Sequence, residues 1–350
     1  MITRKNTKEI KIGNRVIGAG NPVLIQSMTN TPTEDAVATI AQIHALEQAG
    51  CDLIRCTVNN DAAAAAFKEI KKAIHIPLIA DIHFDYKMAL KAIENGADKI
   101  RINPGNIGAD DRVKAVADKC REKNIPIRIG VNSGSVEKEI LAKYGAPTAE
   151  ALAESAMYHV SLLQKHDFDD IVISLKSSSV QTAVAAYRLM AQRTEYPLHI
   201  GITEAGTQHM GMLKSAIGIG SLLLDGIGDT VRVSLTADPV QEVYAAFDIL
   251  KAAGIRQTGV NLVSCPTCGR TKIDLIGLAS RVENALRDCK KNITVAVMGC
   301  AVNGPGEASN ADIGIAGGNG YGLVFAKGKI LKKVPESALF DTLLEEINKL

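Results

Sequence analysis

The chain has 350 residues, and its 40 Lys plus Arg nearly balance its 38 Asp plus Glu, which gives a formal net charge of +2. This length is sufficient for two domains and a large core. The balanced charge argues against nucleic acid or an anionic membrane as a general partner. With no Trp, 7 Tyr and 6 Phe, the chain also lacks the aromatic residues of a base-stacking surface.

The N-terminal sequence MITRKNTKEIKIG has no apolar segment of the kind found in signal peptides, and no later stretch is apolar for long enough to span a bilayer. The 7 cysteines are an odd number in a long chain with no targeting segment. This usage favours a reducing cytoplasm, with thiols that serve a cofactor rather than a disulfide framework.

In chain order, residues 7–20 predict a short hairpin that turns at Gly13-Asn14. A regular alternation of β-branched and helical segments follows. Strands are predicted at 23–29, 53–58, 78–83, 99–103, 126–132, 171–177, 198–204 and 230–236. Helices are predicted at 34–49, 61–74, 86–95, 110–123, 148–165, 180–193, 209–224 and 239–252. Eight strand–helix units in about 250 residues predict a (β/α)8 TIM barrel, with a doubly wound open sheet as the alternative.

Beyond Gly254 the regular alternation of strands and helices ends. The pattern predicts a strand, a helix, a second strand, a Gly-rich β segment and a closing helix, at 259–264, 272–289, 293–298, 312–330 and 335–349. We therefore expect two domains: a barrel at 1–256 that binds the substrate, and a small α/β domain at 257–350 that carries a metal centre.

The active site of such a barrel lies at the carboxyl ends of its strands, and these ends are unusually polar. The residues there are Gln26, Met28, Arg55, Asp81, His83, Arg101, Asn103, Arg128, Asn132, Ser174, Lys176, Thr203, Glu204, Arg232 and Ser234. The two acids, Asp81 and Glu204, cannot neutralise five cations, and an unpaired charge inside a barrel costs several kcal/mol. Guanidinium groups match phosphate oxygens, so the pattern favours a polyanionic ligand, expected to be a diphosphate, over an internal salt-bridge network.

Three cysteines lie on turn-forming sequence in the last quarter of the chain. Cys265 and Cys268 form a C-x2-C pair, and 31 residues separate Cys268 from Cys300. The spacing is typical of zinc and of iron–sulfur sites alike, and it leaves a fourth ligand to be found, either Cys289 or a residue near Cys300. A carboxylate from the turn after Cys300 would bind iron more weakly than a thiolate and leave one iron exchangeable. The other cysteines, Cys51, Cys56, Cys120 and Cys289, have the context of ordinary packing residues.

Motifs spread over nearly the whole chain carry a specific resemblance. They are QSMTNTPT, LIRCTVN, ADIHF, KIRINPGN, IRIGVNSGS, SLKSS, GITEAG, VRVSLT, CPTCGR and GCAVNGPGEA. In these motifs the chain resembles the bacterial 4-hydroxy-3-methylbut-2-enyl diphosphate synthases in their two-domain form.

The resemblance implies a [4Fe-4S] cluster on Cys265, Cys268, Cys300 and Glu307. It implies reductive ring opening and dehydration of 2-C-methyl-D-erythritol 2,4-cyclodiphosphate in isoprenoid biosynthesis, with electrons from flavodoxin or ferredoxin. It also implies a homodimer in which the cluster domain of one subunit caps the barrel of the other. The barrel is expected to be similar to dihydropteroate synthase, and the small domain to sulfite and nitrite reductases.

The resemblance implies roles for the polar residues at the strand ends. Nine of them are expected to bind the cyclodiphosphate: Arg55, Arg101, Asn103, Arg128, Asn132, Lys176, Thr203, Arg232 and Ser234. Glu204 is the candidate proton donor, with Asp81 and His83 as orienting groups. Other protein classes stay open: a cluster-bearing metabolite sensor, a Schiff-base lyase that uses Lys176, or a pterin-type transferase with a structural zinc domain.

Overall fold

The computed structural model describes residues 2–256, 259–287, 289–302 and 304–350. The chain divides into two compact units, Met1–Arg256 and Gln257–Leu350. Each unit has its own hydrophobic core, so each is described by itself. Asn303, in the predicted ligand-bearing turn, lies outside the described residues, as do Gln257 and Thr258 at the boundary.

The first unit begins with a hairpin of β1 (Ile10–Ile12) and β2 (Arg15–Ile17), which are antiparallel. Gly13 has a φ of +56° at the predicted turn, a conformation that glycine adopts without strain. Eight parallel strands follow: β3 (Leu24–Met28), β4 (Leu53–Thr57), β5 (Leu78–Asp81), β6 (Lys99–Ile102), β7 (Ile127–Asn132), β8 (Ile171–Lys176), β9 (His199–Ile200) and β10 (Thr230–Val231).

The eight predicted helices of this unit begin and end close to their predicted bounds, and two short helices, at 104–107 and 138–144, were not predicted. The helices are α1 (Ala36–Gln48), α2 (Asp61–Ala73), α3 (Tyr86–Glu94), α4 (Pro104–Ile107), α5 (Asp110–Lys123), α6 (Lys138–Tyr144), α7 (Ala149–Gln164), α8 (Val180–Arg193), α9 (Gln208–Leu224) and α10 (Pro239–Ala252). Polar N-caps begin several of them; for example, the Asp35 side chain accepts the Ala38 N–H at the start of α1.

The strands lie in the order β8-β7-β6-β5-β4-β3-β10-β9. A parallel bridge between Ile173 and Leu198 joins β8 to the segment before β9 and closes the circle. The predicted barrel is therefore confirmed, and the open doubly wound sheet is wrong. Strands β9 and β10 are much shorter than predicted, and their pairing ends at Ile200 and Val231. Just after β9 the backbones lie so close that a Cβ at Gly201 would be 2.5 Å from the carbonyl oxygen of Arg232.

The base of the barrel is apolar. Ile10, Ile12 and Ile17 of the hairpin pack against inward-facing residues at the amino ends of the strands, including Leu24 and Val172. Outward-facing residues of the same strands form the main core with the helices. The hairpin therefore closes the amino end of the barrel, and the polar residues lie toward the carboxyl end.

The second unit is a five-stranded mixed sheet. Its strands are β11 (Asn261–Ser264), β12 (Thr294–Met298), β13 (Ile313–Gly317), β14 (Tyr321–Ala326) and β15 (Lys329–Pro335), in that spatial order. Strands β11, β12 and β13 are parallel, whereas β14 and β15 are antiparallel to their neighbours. The helices are α11 (Leu275–Leu286), α12 (Gly304–Glu307) and α13 (Leu339–Lys349). Leu339, Leu343 and Ile347 on one face of α13 are buried in the core.

Within the described residues, no helix combines the length and apolarity needed to cross a membrane.

Candidate functional site

Asp81 lies at the centre of the charged cluster inside the barrel. Its Oδ1 is 3.1 Å from Arg101 Nη1, and its Oδ2 is 3.6 Å from Arg55 Nε. His83 Nε2 is 3.8 Å from the same Oδ2. Burial alone raises the pKa of Asp81, but the positive charges of Arg55 and Arg101 hold that pKa well below its usual range. Asp81 is therefore ionised and holds two arginines from neighbouring strands.

Arg128 is fully buried, and much of its hydrogen-bonding capacity is unused. Its Nη1 donates to Ser174 Oγ at 2.8 Å, whereas Nε and Nη2 have no partner. Lys176, the last residue of β8, is also buried. Burial and the charges of Arg232 and Arg55 lower the pKa of Lys176 well below its ordinary value. Arg128 thus presents buried donors with nothing to receive them.

Arg232 has a partner that the sequence analysis missed. Its Nη2 is 3.5 Å from Glu242 Oε2, and Glu242 Oε1 accepts the Leu235 N–H at 3.0 Å. Glu242 belongs to α10 and is buried. The sequence did contain a signal for Glu242, because it lies next to Val243 among the apolar residues of that helix. A carboxylate in such a position indicates a buried partner.

Lys99 is a second residue that was not predicted. It begins β6, two residues before Arg101, and faces the same side of the strand. The side chain is fully buried, and its Nζ has no hydrogen-bond partner. A lysine that alternates with isoleucines in a short parallel strand was the available signal.

The charged cluster in the described part of the barrel therefore contains more basic than acidic side chains. Four guanidinium groups and two lysines face two carboxylates: the basic residues are Arg55, Lys99, Arg101, Arg128, Lys176 and Arg232, and the carboxylates are Asp81 and Glu242. The guanidinium groups alone outnumber the carboxylates, whether or not the lysines are protonated. An enclosed excess of this size is suited to a ligand with several negative charges.

The remaining predicted residues lie around this cluster. Asn103 is buried directly after β6, and Asn132 ends β7 and caps the short turn at Ser133–Ser135. The Ser234 Oγ is buried without a partner. Thr203 and Glu204 follow β9 rather than lying on it, and Glu204 is exposed with a φ of +50°. No ion pair joins Glu204 to the cluster among the residues described.

Two of the predicted metal ligands follow the carboxyl ends of adjacent strands in the second unit. Cys265 comes directly after β11 and Cys300 two residues after β12, and these strands pair in parallel up to Ser264 and Val297. The Cys265 Sγ accepts the Gly299 N–H at 3.2 Å. Glu307 ends α12, whose first N–H donates to the Cys300 carbonyl oxygen at 3.1 Å.

Arg270 connects three of the four predicted ligands. Hydrogen bonds from its backbone and guanidinium lower the pKa of the Cys268 thiol. In turn, the hydrogen bond to Cys268 and the negative charges of Cys268, Cys300 and Glu307 raise the pKa of Arg270. Arg270 therefore lies within electrostatic reach of all three groups.

The donor set fits an iron–sulfur group. Every cysteine in the described ranges is a free thiol, and Cys265, Cys268 and Cys300 are at least partly exposed, whereas Cys51, Cys56 and Cys120 are buried. Across residues 2–256, 259–287, 289–302 and 304–350, no three His, Cys, Asp or Glu side chains converge on a single ion position. Three available thiols and a carboxylate around one end of a sheet suit a group with several iron atoms.

The fold and these two sites define a class: a two-domain protein with a (β/α)8 barrel whose interior is rich in basic side chains, and a cysteine-bearing α/β domain. A family model described as the GcpE TIM-barrel domain matches residues 7–247, and one described as the GcpE protein C-terminal domain matches residues 261–349. The chain belongs to the GcpE family.

Curated relatives match the chain over its full length. One from Fusobacterium nucleatum is 60% identical over 346 residues, which cover 99% of this chain and 97% of the relative. One from Clostridium perfringens is 60% identical over 346 residues, which cover 99% of both chains. Both are named 4-hydroxy-3-methylbut-2-en-1-yl diphosphate synthase (flavodoxin).

Solved structures support the predicted kind of barrel. Dihydropteroate synthase from Stenotrophomonas maltophilia has a TM-score of 0.53 at 13% identity, and the match covers 70% of this chain and 97% of that one. The Xanthomonas albilineans enzyme in complex with 7,8-dihydropteroate has a TM-score of 0.50 at 15% identity, and the match covers 70% of this chain and 96% of that one. At these identities the likeness shows the fold alone. The likeness of the small domain to sulfite and nitrite reductases stays a prediction.

Proposed function

We propose that this protein is a flavodoxin-dependent 4-hydroxy-3-methylbut-2-en-1-yl diphosphate synthase that acts on 2-C-methyl-D-erythritol 2,4-cyclodiphosphate in the cytoplasm. Its curated relatives carry that enzyme name over the full chain. The observation in the structure that carries the proposal is the excess of buried cations around Asp81. A cyclodiphosphate supplies the negative charge that this site lacks.

The barrel cations hold the diphosphate and favour breakage of the ring C–O bond. Negative charge grows on a diphosphate oxygen as that bond breaks, and preorganised guanidinium groups stabilise it more than they stabilise the intact ring. Arg55 and Arg101 are preorganised because Asp81 holds them. Asn103, Asn132, Thr203 and Ser234 are proposed to donate or accept hydrogen bonds at the rim of the same site.

A [4Fe-4S] cluster on Cys265, Cys268, Cys300 and Glu307 would supply the two electrons of this reduction one at a time, after receiving them from flavodoxin or ferredoxin. The chain's own contribution is to hold the ligands in place. The Gly299 N–H directs the Cys265 Sγ, and Arg270 stabilises the thiolate form of Cys268.

Loss of the substrate hydroxyl as water requires a proton, and Glu204 is the proposed donor. It is exposed after β9, so substrate can reach it and solvent can reprotonate it. Asp81 and His83 are proposed to orient the substrate. Glu204→Gln should abolish turnover and leave the visible spectrum of the cluster and substrate binding unchanged. Retained turnover would remove Glu204 from the mechanism.

We also propose a homodimer. Helix α9 carries an exposed apolar stripe of Met210, Leu213, Ile217 and Leu224, at the spacing of one helix face. The side chain of Ile217 is 63% exposed, and a groove between α9 and α10 lies beside it. Such a stripe marks a protein interface. Ile217→Glu should shift the sedimenting mass from dimer to monomer, and an unchanged mass would exclude this face.

A test with mixed subunits addresses whether one subunit's cluster domain serves the other's barrel. Subunits with Glu204→Gln and with Cys300→Ser are each inactive in this scheme. In a hybrid dimer, one site would combine an intact barrel with an intact cluster domain, so an equal mixture should recover about a quarter of wild-type activity. No recovery would mean that each barrel uses its own cluster domain.

The experiment that decides the main proposal is anaerobic purification, metal and sulfide analysis, and turnover of the cyclodiphosphate with dithionite and a mediator. We expect a coloured iron protein that forms the product. A colourless zinc protein that is inert in this assay would contradict the proposal and favour the structural-zinc alternative.

A further inference from the structure

Lys99 is a buried basic group that the proposed reaction does not use. It lies at the start of β6 with its side chain inside the barrel, where it is fully buried and its Nζ lacks a hydrogen-bond partner. The charged groups that act on it are Arg128 from β7 and Arg55 from β4. The ring of His199, from β9, is close enough to be affected by Lys99 in turn.

No carboxylate among the described residues pairs with Lys99. Asp81, on the adjacent β5, is engaged by Arg55 and Arg101. His199 Nδ1 lies 2.8 Å from Thr230 Oγ1, and its Nε2 is buried without a partner. An isolated ammonium group in such a place is strongly disfavoured, and a lysine responds by releasing its proton.

The electrostatics of the site agree with this geometry. Burial, followed by the positive charges of Arg128 and Arg55, lowers the pKa of Lys99 well below its ordinary value. Burial and the same cationic surroundings lower the pKa of His199, so this ring is neutral and cannot replace the missing charge. Burial and neighbouring positive charges also lower the pKa of Lys176, at the carboxyl end of β8.

We propose that Lys99 is a positioning residue of the anion site: its side chain is an amine when the arginines are unoccupied and an ammonium group when they hold a diphosphate. The proton comes from solvent, and one proton is bound at Nζ for each diphosphate bound. The ammonium group then adds a positive charge beneath Arg55 and Arg128 only while a ligand compensates for it. This inference rests on the proposed function only in that the barrel binds a diphosphate.

The sign of the pH dependence follows from linkage. Ligand binding raises the pKa of Lys99, so binding takes up protons at pH values between the pKa of the free site and that of the complex. Affinity is greatest below the pKa of the free site and falls as the pH rises through the pKa of the complex. Lys176 contributes a dependence of the same sign, so the share of Lys99 has to be isolated by substitution.

The test is calorimetric titration of the cluster-loaded protein with inorganic pyrophosphate, in two buffers of different ionisation enthalpy and over a range of pH. Lys99→Met keeps the length of the side chain and removes the titrating group. In Lys99→Met we expect the number of protons taken up per bound pyrophosphate to be lower than in the wild type by up to about one. The slope of log Kd against pH should be smaller by up to about one as well. Lys114→Met, at an exposed surface pair with Asp118, should behave as the wild type does. Equal uptake in the wild type and in Lys99→Met would overturn the proposal.

Two further measurements apply if Lys99→Met does not fold. Lys99→Arg keeps a permanent charge and should bind pyrophosphate without the uptake that depends on position 99. In the wild type and in Lys176→Met, carbon-13 labelling of lysine side chains should reveal an amine-form signal near neutral pH that changes when pyrophosphate is added. If every lysine signal has the ammonium form in the empty protein, the inference is wrong.

These outcomes are separable from those of the proposed function. Linked proton uptake on pyrophosphate binding in a protein that does not turn over the cyclodiphosphate supports the role of Lys99 and contradicts the proposed reaction. Turnover with a proton uptake that Lys99→Met leaves unchanged supports the reaction and contradicts the role of Lys99.

Discussion

Replacement of Asp81 by Asn tests whether one carboxylate organises the cations of the barrel. The change preserves side-chain size and removes one negative charge from between Arg55 and Arg101, which lie 3.6 and 3.1 Å from its oxygens. Both arginines then lose their anionic partner in a buried site. The protein therefore contains one more unpaired positive charge than the wild type.

Removal of one partner from a buried ion pair costs about 3–5 kcal/mol. For a domain of this size, that loss corresponds to a fall in Tm of roughly 6–20 °C. The pKa of Asp81 is held below its usual range, so the advantage of the wild type is fully present above about pH 4, the pKa of an Asp in the unfolded chain. The difference between the two proteins should shrink as the pH falls below that value.

The assay is thermal unfolding of both proteins with and without pyrophosphate. Asp118→Asn is a matched control, because Asp118 also contacts two cations, Lys114 and Arg121, but on the exposed surface of α5; its Tm should change little. Pyrophosphate should stabilise Asp81→Asn more than the wild type, since the anion replaces part of the lost charge. A Tm for Asp81→Asn within a degree or so of the wild type would refute the claim that Asp81 neutralises these arginines.

Three other changes have expected outcomes. Gly304→Ala should reduce iron and sulfide content after anaerobic reconstitution, because its Cβ would lie 2.9 Å from Cβ atoms of β12 and β13, whereas Gly306→Ala has open space and should load normally. Tyr187→Phe should lower the free energy of unfolding by about 1–3 kcal/mol in denaturant titrations, because it removes a buried hydroxyl that bonds the backbones of β8 and β9 at 3.1 and 2.7 Å; an unchanged midpoint would argue against these bonds. In cluster-free protein, mass spectrometry should find that iodoacetamide alkylates Cys268 and spares the buried Cys120, whose thiol pKa is raised by burial; the reverse order would contradict the burial pattern.

Most of the barrel could be predicted because its local signals agree with one another. Helical periodicity, polar N-caps and glycines at helix ends specify the same units, and Gly50 and Gly96 have positive φ values where helices α1 and α3 end. The lengths of β9 and β10 could not be predicted, because they are defined by pairing between segments that are distant in the sequence. β-branched residues around Ile200 predict an extended chain but do not define its partner.

Much of the candidate site could be predicted from polar residues in or just after the strands. Asp81 ends β5, Arg55 and Arg101 lie within β4 and β6, and the structure brings the three together. Glu242 and Lys99 were missed because their significance depends on which face of an element is enclosed. Burial is a property of the packed barrel, so a charged residue within an apolar pattern signals a buried partner without identifying it.

The depth of the polar interior has a consequence for stability. The hairpin residues Ile10, Ile12 and Ile17 supply an apolar base, and above it Lys99 and Arg128 are fully buried with unpaired donors. These groups make the empty barrel less stable than an apolar interior of the same volume would be. A bound anion reverses part of that cost, so ligand affinity and resistance to unfolding must rise together. A charge excess that favours the binding of an anion therefore also makes the stability of the folded state depend on that anion.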